Sequence, residues 1–163
     1  MRIMVTIMKI KIIALGKIKE KFLKEGIEEF LKRLTPYAPV EIVELNPVEI
    51  KDENLVQKAL DEEGEKILSN IKPDSYVITL EIKGKQVSSE EFADKINDII
   101  NSGISELVFV IGSSCGISAR VSARADFKLS ISKMTFLHQF ARLLLVEQIY
   151  RAFKIMKNET YHK

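Results

Sequence analysis

Three short runs near the end of the chain hold residues that could do chemistry. Gly112-Ser113-Ser114-Cys115-Gly116 follows an apolar strand predicted over 107–111. Its glycines allow a tight turn and a close approach of a ligand to the main chain. It lacks the lysine of a phosphate-binding P-loop and the third glycine of a dinucleotide fingerprint. Cys115 has no acid–base dyad beside it and reads as a small loop filler. Ser132-Lys133-Met134-Thr135-Phe136-Leu137-His138 follows a second strand, predicted over 127–131. Here Thr135 is expected to cap a helix, whose first N–H groups are open to a polar ligand. His138 and Arg142 stand four apart and are expected to project together, an imidazole for proton transfer beside a cation. Tyr161-His162-Lys163 closes the chain. An aromatic ring, an imidazole and an ammonium suit RNA, through stacking and phosphate contact, though a frayed tail would read the same. Zinc-ligand spacing, a paired-carboxylate motif and a Ser-His-Asp signature are all missing, so no metal is expected.

The elements that must position these runs alternate strand and helix. MKIKIIAL (8–15) alternates and then turns apolar, as a strand entering a core does, and Gly16 ends it. Residues 19–34 place Phe22, Leu23, Ile27, Phe30, Leu31 and Leu34 at helical spacing, stopped by Pro36 and Pro39. VEIVEL (40–45) alternates apolar with acidic, as a half-exposed strand does. A second amphipathic helix is predicted over 54–71, weakened by Gly64 by about 1 kcal/mol. A strand over 76–82 is expected to end in a turn at Lys83-Gly84-Lys85. Ser88 to Glu91 reads as a capping box for a third helix over 90–101. After the two site-bearing strands, with a short helix near 118–124 between them, comes a long helix over 135–156. That helix is apolar almost all round, so it must be buried on several sides; one side is expected to meet a second subunit, the alternative being a central helix inside a monomer. The fold class is α/β, a single domain with a mainly parallel sheet and helices on both faces. In such a sheet ligands bind beyond the carboxyl ends of the strands, where the first two runs lie.

Composition narrows the function classes. The 163 residues suit one domain, and 46% hydrophobic with 29% charged residues is ordinary for a globular protein. One cysteine excludes an internal disulfide framework and points to the cytoplasm. Lys9 and Lys11 interrupt the opening apolar run, and no cleavage site closes it, so no signal peptide is expected. No stretch approaches the roughly 20 uninterrupted apolar residues of a membrane span. Residues 1–7 precede a second methionine, Met8, and are expected to be a dispensable extension. The net charge of +2 is uneven: residues 120–163 carry nine Lys or Arg against three acids, +6, leaving −4 on the first 119. A basic end points to a polyanionic partner or, equally, to a solvated face.

The run from Leu129 through Phe136, with His138, Arg142, EQIYRAFK (147–154) and the terminal Tyr161-His162-Lys163, resembles the large-subunit ribosomal RNA pseudouridine N3-methyltransferases of the SPOUT superfamily. The likeness extends from Met8 to Lys163, through MKIKIIALGKIKEKFL, EEGEKIL and VITLEIKGK. It implies a C-terminal trefoil knot, a homodimer, and S-adenosyl-L-methionine held by Leu80, Gly112 and Ile131, Ser132, Lys133, Met134, Thr135 and Phe136. It implies a substrate in 23S rRNA on assembled ribosomes. His138 or His162 would then be the base, Arg142 would hold a phosphate or an oxyanion, and Arg142, Tyr161, His162 and Lys163 would meet RNA. Two positions depart from the family: Ser113 stands where glycine is usual, and Leu137 where proline is. Two readings compete, a non-catalytic RNA-binding ribosome-assembly factor and a nucleotide-binding α/β enzyme acting on a small molecule.

Overall fold

Five parallel strands form one sheet in the order β2-β1-β4-β3-β5. They are β1 (Lys9–Leu15), β2 (Val40–Leu45), β3 (Tyr76–Gln86), β4 (Glu106–Ile111) and β5 (Phe127–Ser130). The computed structural model describes residues 7–161. The expected extension over 1–7 therefore falls almost wholly outside the described residues, as do His162 and Lys163.

Central strands need two apolar faces, and β1 and β4 have them. Ile10, Ile12 and Ala14 of β1, with Leu107, Phe109 and Ile111 of β4, enter the larger core. Their alternates Ile13, Leu15, Val108 and Val110 enter the smaller one. Helices α1 (Lys21–Leu34), α3 (Ser89–Asn101) and α5 (His138–Met156) cover the first face; α2 (Val56–Leu68) and α4 (Ala119–Arg124) lie against each other on the second. The period-two alternation of strands buried on both sides thus sets which helices lie where.

The expected single α/β domain with a parallel sheet between helical layers is what the structure shows. The capping box is present: Ser88 Oγ accepts from Glu91 N at 3.0 Å, and Ser88 N donates to Glu91 Oε1 at 3.0 Å. Gly64 has a packing reason, since a Cβ there would lie 2.5 Å from Ser118 Oγ, the cap of α4.

Three boundaries differ. β3 does not turn at Lys83-Gly84-Lys85 but runs on to Gln86, pairing Lys85 with Leu129 and Gln86 with Ser130 after a register shift between Leu80 and Lys85. Gly84 passes so near β5 that a Cβ would stand 2.7 Å from the Lys128 carbonyl oxygen. α5 begins at His138, not Thr135, and its cap residue Leu137 makes no side-chain cap bond. The preceding turn is closed instead by Ser132, whose Oγ accepts from Met134 N at 3.0 Å. The second helix opens with a 3-10 turn over Glu53–Leu55, capped by Asp52, and ends at Leu68.

Candidate active site

Beyond the carboxyl ends of β4 and β5, and beside the middle of β3 where its register shifts, lies an open cavity of about 940 Å³. β3 supplies residues 80–83, and β4 ends in Ile111 and supplies the 112–117 loop. Leu129 of β5, most of the following loop, and His138 and Ala141 of α5 complete it. The walls are largely apolar (Leu80, Ile117, Leu129, Ile131), with hydroxyls, backbone and one carboxylate among them.

The 112–116 loop is bent back on itself. Gly116 N donates to Ser113 O at 2.9 Å, Gly116 sits at φ +91°, and a Cβ on Gly112 would lie 2.3 Å from Gly116 O. Ser113, the departure from the family pattern, holds this bend. Its hydroxyl donates to Glu63 Oε1 at 2.9 Å and accepts from Cys115 N at 3.3 Å. Glu63 is buried on α2, and its other oxygen accepts from Val48 N at 3.0 Å. The second loop is shaped by Ser130 Oγ donating to Ser132 O at 3.0 Å, followed by the Ser132–Met134 turn.

Glu81 is the carboxylate in the wall. Thr79 Oγ1 donates to its Oε2 at 2.6 Å, and Ser122 Oγ donates to Oε1 at 2.9 Å. Those bonds fix its direction and leave lone pairs for a donor group on a ligand. His138 is half-buried and lines the cavity; its Nε2 lies 4.0 Å from where a Cβ on Gly16 would be.

The cavity thus gathers Leu80, Gly112, Ile131, Ser132, Met134, Thr135, Phe136 and His138 from the residues singled out in the sequence. Lys133 points out to solvent and is not in the wall. Arg142 is the correction. It does not project into the site with His138 but is 2% exposed, donating to Glu44 Oε2 at 2.6 Å and to Gly16 O at 3.1 Å. A guanidinium so enclosed needs those acceptors for itself and is closed to an RNA phosphate. Tyr161 packs on its own subunit, with its ring 4.8 Å from that of Tyr150, Arg151 over it at 4.7 Å, and its hydroxyl donating to Glu147 Oε1 at 3.0 Å. Burial, and then the bond to Glu147, hold this phenol above its ordinary pKa.

Glu81 and Glu63 escaped the sequence reading. Thr79 and Glu81 share one face of β3 by period two and both lie within the predicted strand over 76–82, so their pairing was within reach of the sequence. Glu63 had no such signal, because its partners lie 15 and 50 residues away.

Among the described residues no group of three or more His, Cys, Asp or Glu is placed to hold a metal, and no helix is long and apolar enough to cross a membrane. A family model described as "Predicted SPOUT methyltransferase" matches residues 8–162. Ribosomal RNA large subunit methyltransferase H of Carboxydothermus hydrogenoformans is 54% identical over 160 residues, covering 96% of this chain and all of that protein.

Proposed function

The chain belongs to the SPOUT methyltransferase family, and from that premise we propose that it methylates N3 of a pseudouridine in 23S ribosomal RNA, using S-adenosyl-L-methionine. It does so in the cytoplasm, on assembled ribosomes and as a homodimer with the family's C-terminal trefoil knot. The observation that carries this reading is the cavity, where three parallel strands and the loops after two of them bring together eight positions predicted for the cofactor or the base. Its volume of about 940 Å³ falls within the range of roughly 300–1,000 Å³ usual for small-molecule sites. Its mix of apolar wall, hydroxyls and one anchored carboxylate suits a nucleoside joined to an amino acid.

When bound, the cofactor supplies a methyl group already activated on a sulfonium, so the protein mainly has to position and to handle a proton. Leu80, Ile117 and Leu129 exclude water from one side of the cavity. Ser132, Thr135 and the turned main chain at Gly112 offer polar contacts, and Glu81 accepts from a donor. N3 of pseudouridine is an imide N–H and a poor nucleophile until it loses its proton. An imidazole takes that proton, His138 from the cavity wall or His162 from the tail, and passes it to water; such a base typically contributes about 10²–10⁴-fold.

The tail works best in trans. Tyr161 packs on Glu147 and Tyr150, nine and twelve residues along α5 from His138, about 14 and 18 Å at 1.5 Å per residue. In this reading His162 serves the cavity of a partner subunit. Exposed Leu137 (70%), Phe22 (61%) and Phe140 (37%) near that cavity support an apolar face that a second copy covers.

Methyl transfer from tritiated S-adenosyl-L-methionine tests the reading. Label is expected in 23S RNA of intact ribosomes, as 3-methylpseudouridine on nucleoside analysis, and far less on naked RNA. Ribosomes that stay unlabelled would leave an RNA-binding assembly factor; label in small molecules alone would leave a metabolic enzyme.

A further inference from the structure

We propose that the turn after β1, carrying Lys17 and Lys19, is a contact surface for RNA phosphates at the mouth of the cavity. This rests on the reading of RNA as substrate and extends it to a segment far from the basic C-terminus.

The turn is held in place beside the site. Gly16 N donates to Leu45 O at 2.8 Å, and Gly16 O accepts from buried Arg142 at 3.1 Å. The same glycine lies against His138, which lines the cavity. Lys17 and Lys19 follow one and three residues later, and both are exposed. Consecutive Cα atoms are about 3.8 Å apart, so the Cα atoms of Lys17 and Lys19 lie within about 4 and 11 Å of that of Gly16. Neither makes an ion pair or hydrogen bond among the described residues.

The cations continue into α1. Lys21 and Lys24 stand in its first turn, which has no acid. Cations at a helix N-terminus oppose its dipole, so helix stability does not account for them. Lys21 has one weak partner, Glu25 at 3.8 Å, with both side chains largely exposed. Across the mouth, Lys83 lines the cavity and is exposed. The nearby acids are occupied or few: Glu44 is bound by Arg142 and Glu81 by two hydroxyls, leaving Glu20 in the turn itself. Summed over the first 119 residues the charge is −4, which hides this local cluster.

A base inserted into the cavity leaves its flanking phosphates at the mouth. Lysines there would hold the strand without reading its sequence.

The test compares K17A/K19A with a control pair on the other face of the sheet, K58A/K72A. Methyl transfer is measured against ribosome concentration and salt, with ribosome binding by sedimentation in parallel. For K17A/K19A, KM for ribosomes should rise about tenfold, and the log KM–log salt slope should flatten by about 1.5–2. At saturating ribosomes kcat should stay within about twofold, with S-adenosyl-L-methionine affinity and dimer mass unchanged, and K17R/K19R should restore KM. An unchanged KM, an equal rise in the control, or a monomeric K17A/K19A protein would overturn the proposal. If wild type labels no ribosomes, the substrate reading falls by itself, and sedimentation alone then decides whether these lysines bind the particle.

Discussion

Arg142 holds its guanidinium between Glu44 and the Gly16 carbonyl, and its Nε has no partner. A residue at i+4 from His138 thus reaches across to β1 and β2 and fixes the turn against which His138 rests. It is a positioning residue. Replacing it with Ala strands Glu44 and frees Gly16. Glu44 is 38% exposed and can hydrate, so the loss should be about 1–3 kcal/mol rather than the larger cost of breaking a fully buried pair. Thermal melts of R142A should show that loss, and kcat should fall while cofactor affinity by calorimetry stays within a few-fold. Glu63 plays the matching part behind the other loop. Glu63→Ala leaves the Ser113 hydroxyl and Val48 N–H without their acceptor, at about 1–3 kcal/mol. Its signature should be a weaker Kd for S-adenosyl-L-methionine, with KM for ribosomes little changed. His138 was legible as a site residue because it follows a strand end. The direction of Arg142 was not, because it depends on a carboxylate 98 residues away.

The strands were legible from their apolar runs, and two-faced burial follows from the unbroken hydrophobicity of Leu107–Ile111 in β4 and of the second half of β1, Ile12–Leu15. What pattern could not give was the reach of β3. Its last residues are polar and look like a turn, and only the partner strand β5 makes them a strand. Gly84 is the device that permits it, so Gly84→Ala should push β3 from β5 and cost about 1–3 kcal/mol. Since Leu80 and Leu129 line the cavity on either side of that seam, the variant should also lose cofactor affinity, which calorimetry would detect. The tail offers a pH test at the same scale. Lys154 Nζ and Tyr37 Oη both donate to Glu159, and those bonds hold its carboxyl below the ordinary carboxylate range. A depressed carboxylate contributes stability above its unfolded pKa of about 4.3 and loses it as pH falls through the lower folded value. Tail anchoring should therefore be full at neutral pH and weaken below about pH 4, seen as faster proteolysis near residue 157, and E159Q should show the same weakening at neutral pH.

At the scale of the whole molecule, the cavity lies at the start of α5 while Tyr161 packs along its middle, and in the proposed homodimer a two-fold pair of subunits can bring one subunit's tail to the other's cavity. That proposed arrangement draws on the packing of Tyr161 on Tyr150, which composition and periodicity, reporting single elements, do not give. It makes a sharp prediction for mixed subunits. H138A keeps its tail and spoils its own cavity, while a chain ending at Tyr161 keeps its cavity and lacks His162. Where a site needs both histidines, one as base and the other beside it, each variant alone should transfer little methyl. Unfolded, mixed in equal amounts and refolded, they should pair at random, so about half the dimers are mixed and each mixed dimer holds one complete site. Activity should return to about a quarter of wild type. If tail and cavity served each other within one chain, every mixed dimer would carry two incomplete sites and the refolded mixture would stay as inactive as its parents. Activity well above a quarter would mean that one of the two histidines is dispensable.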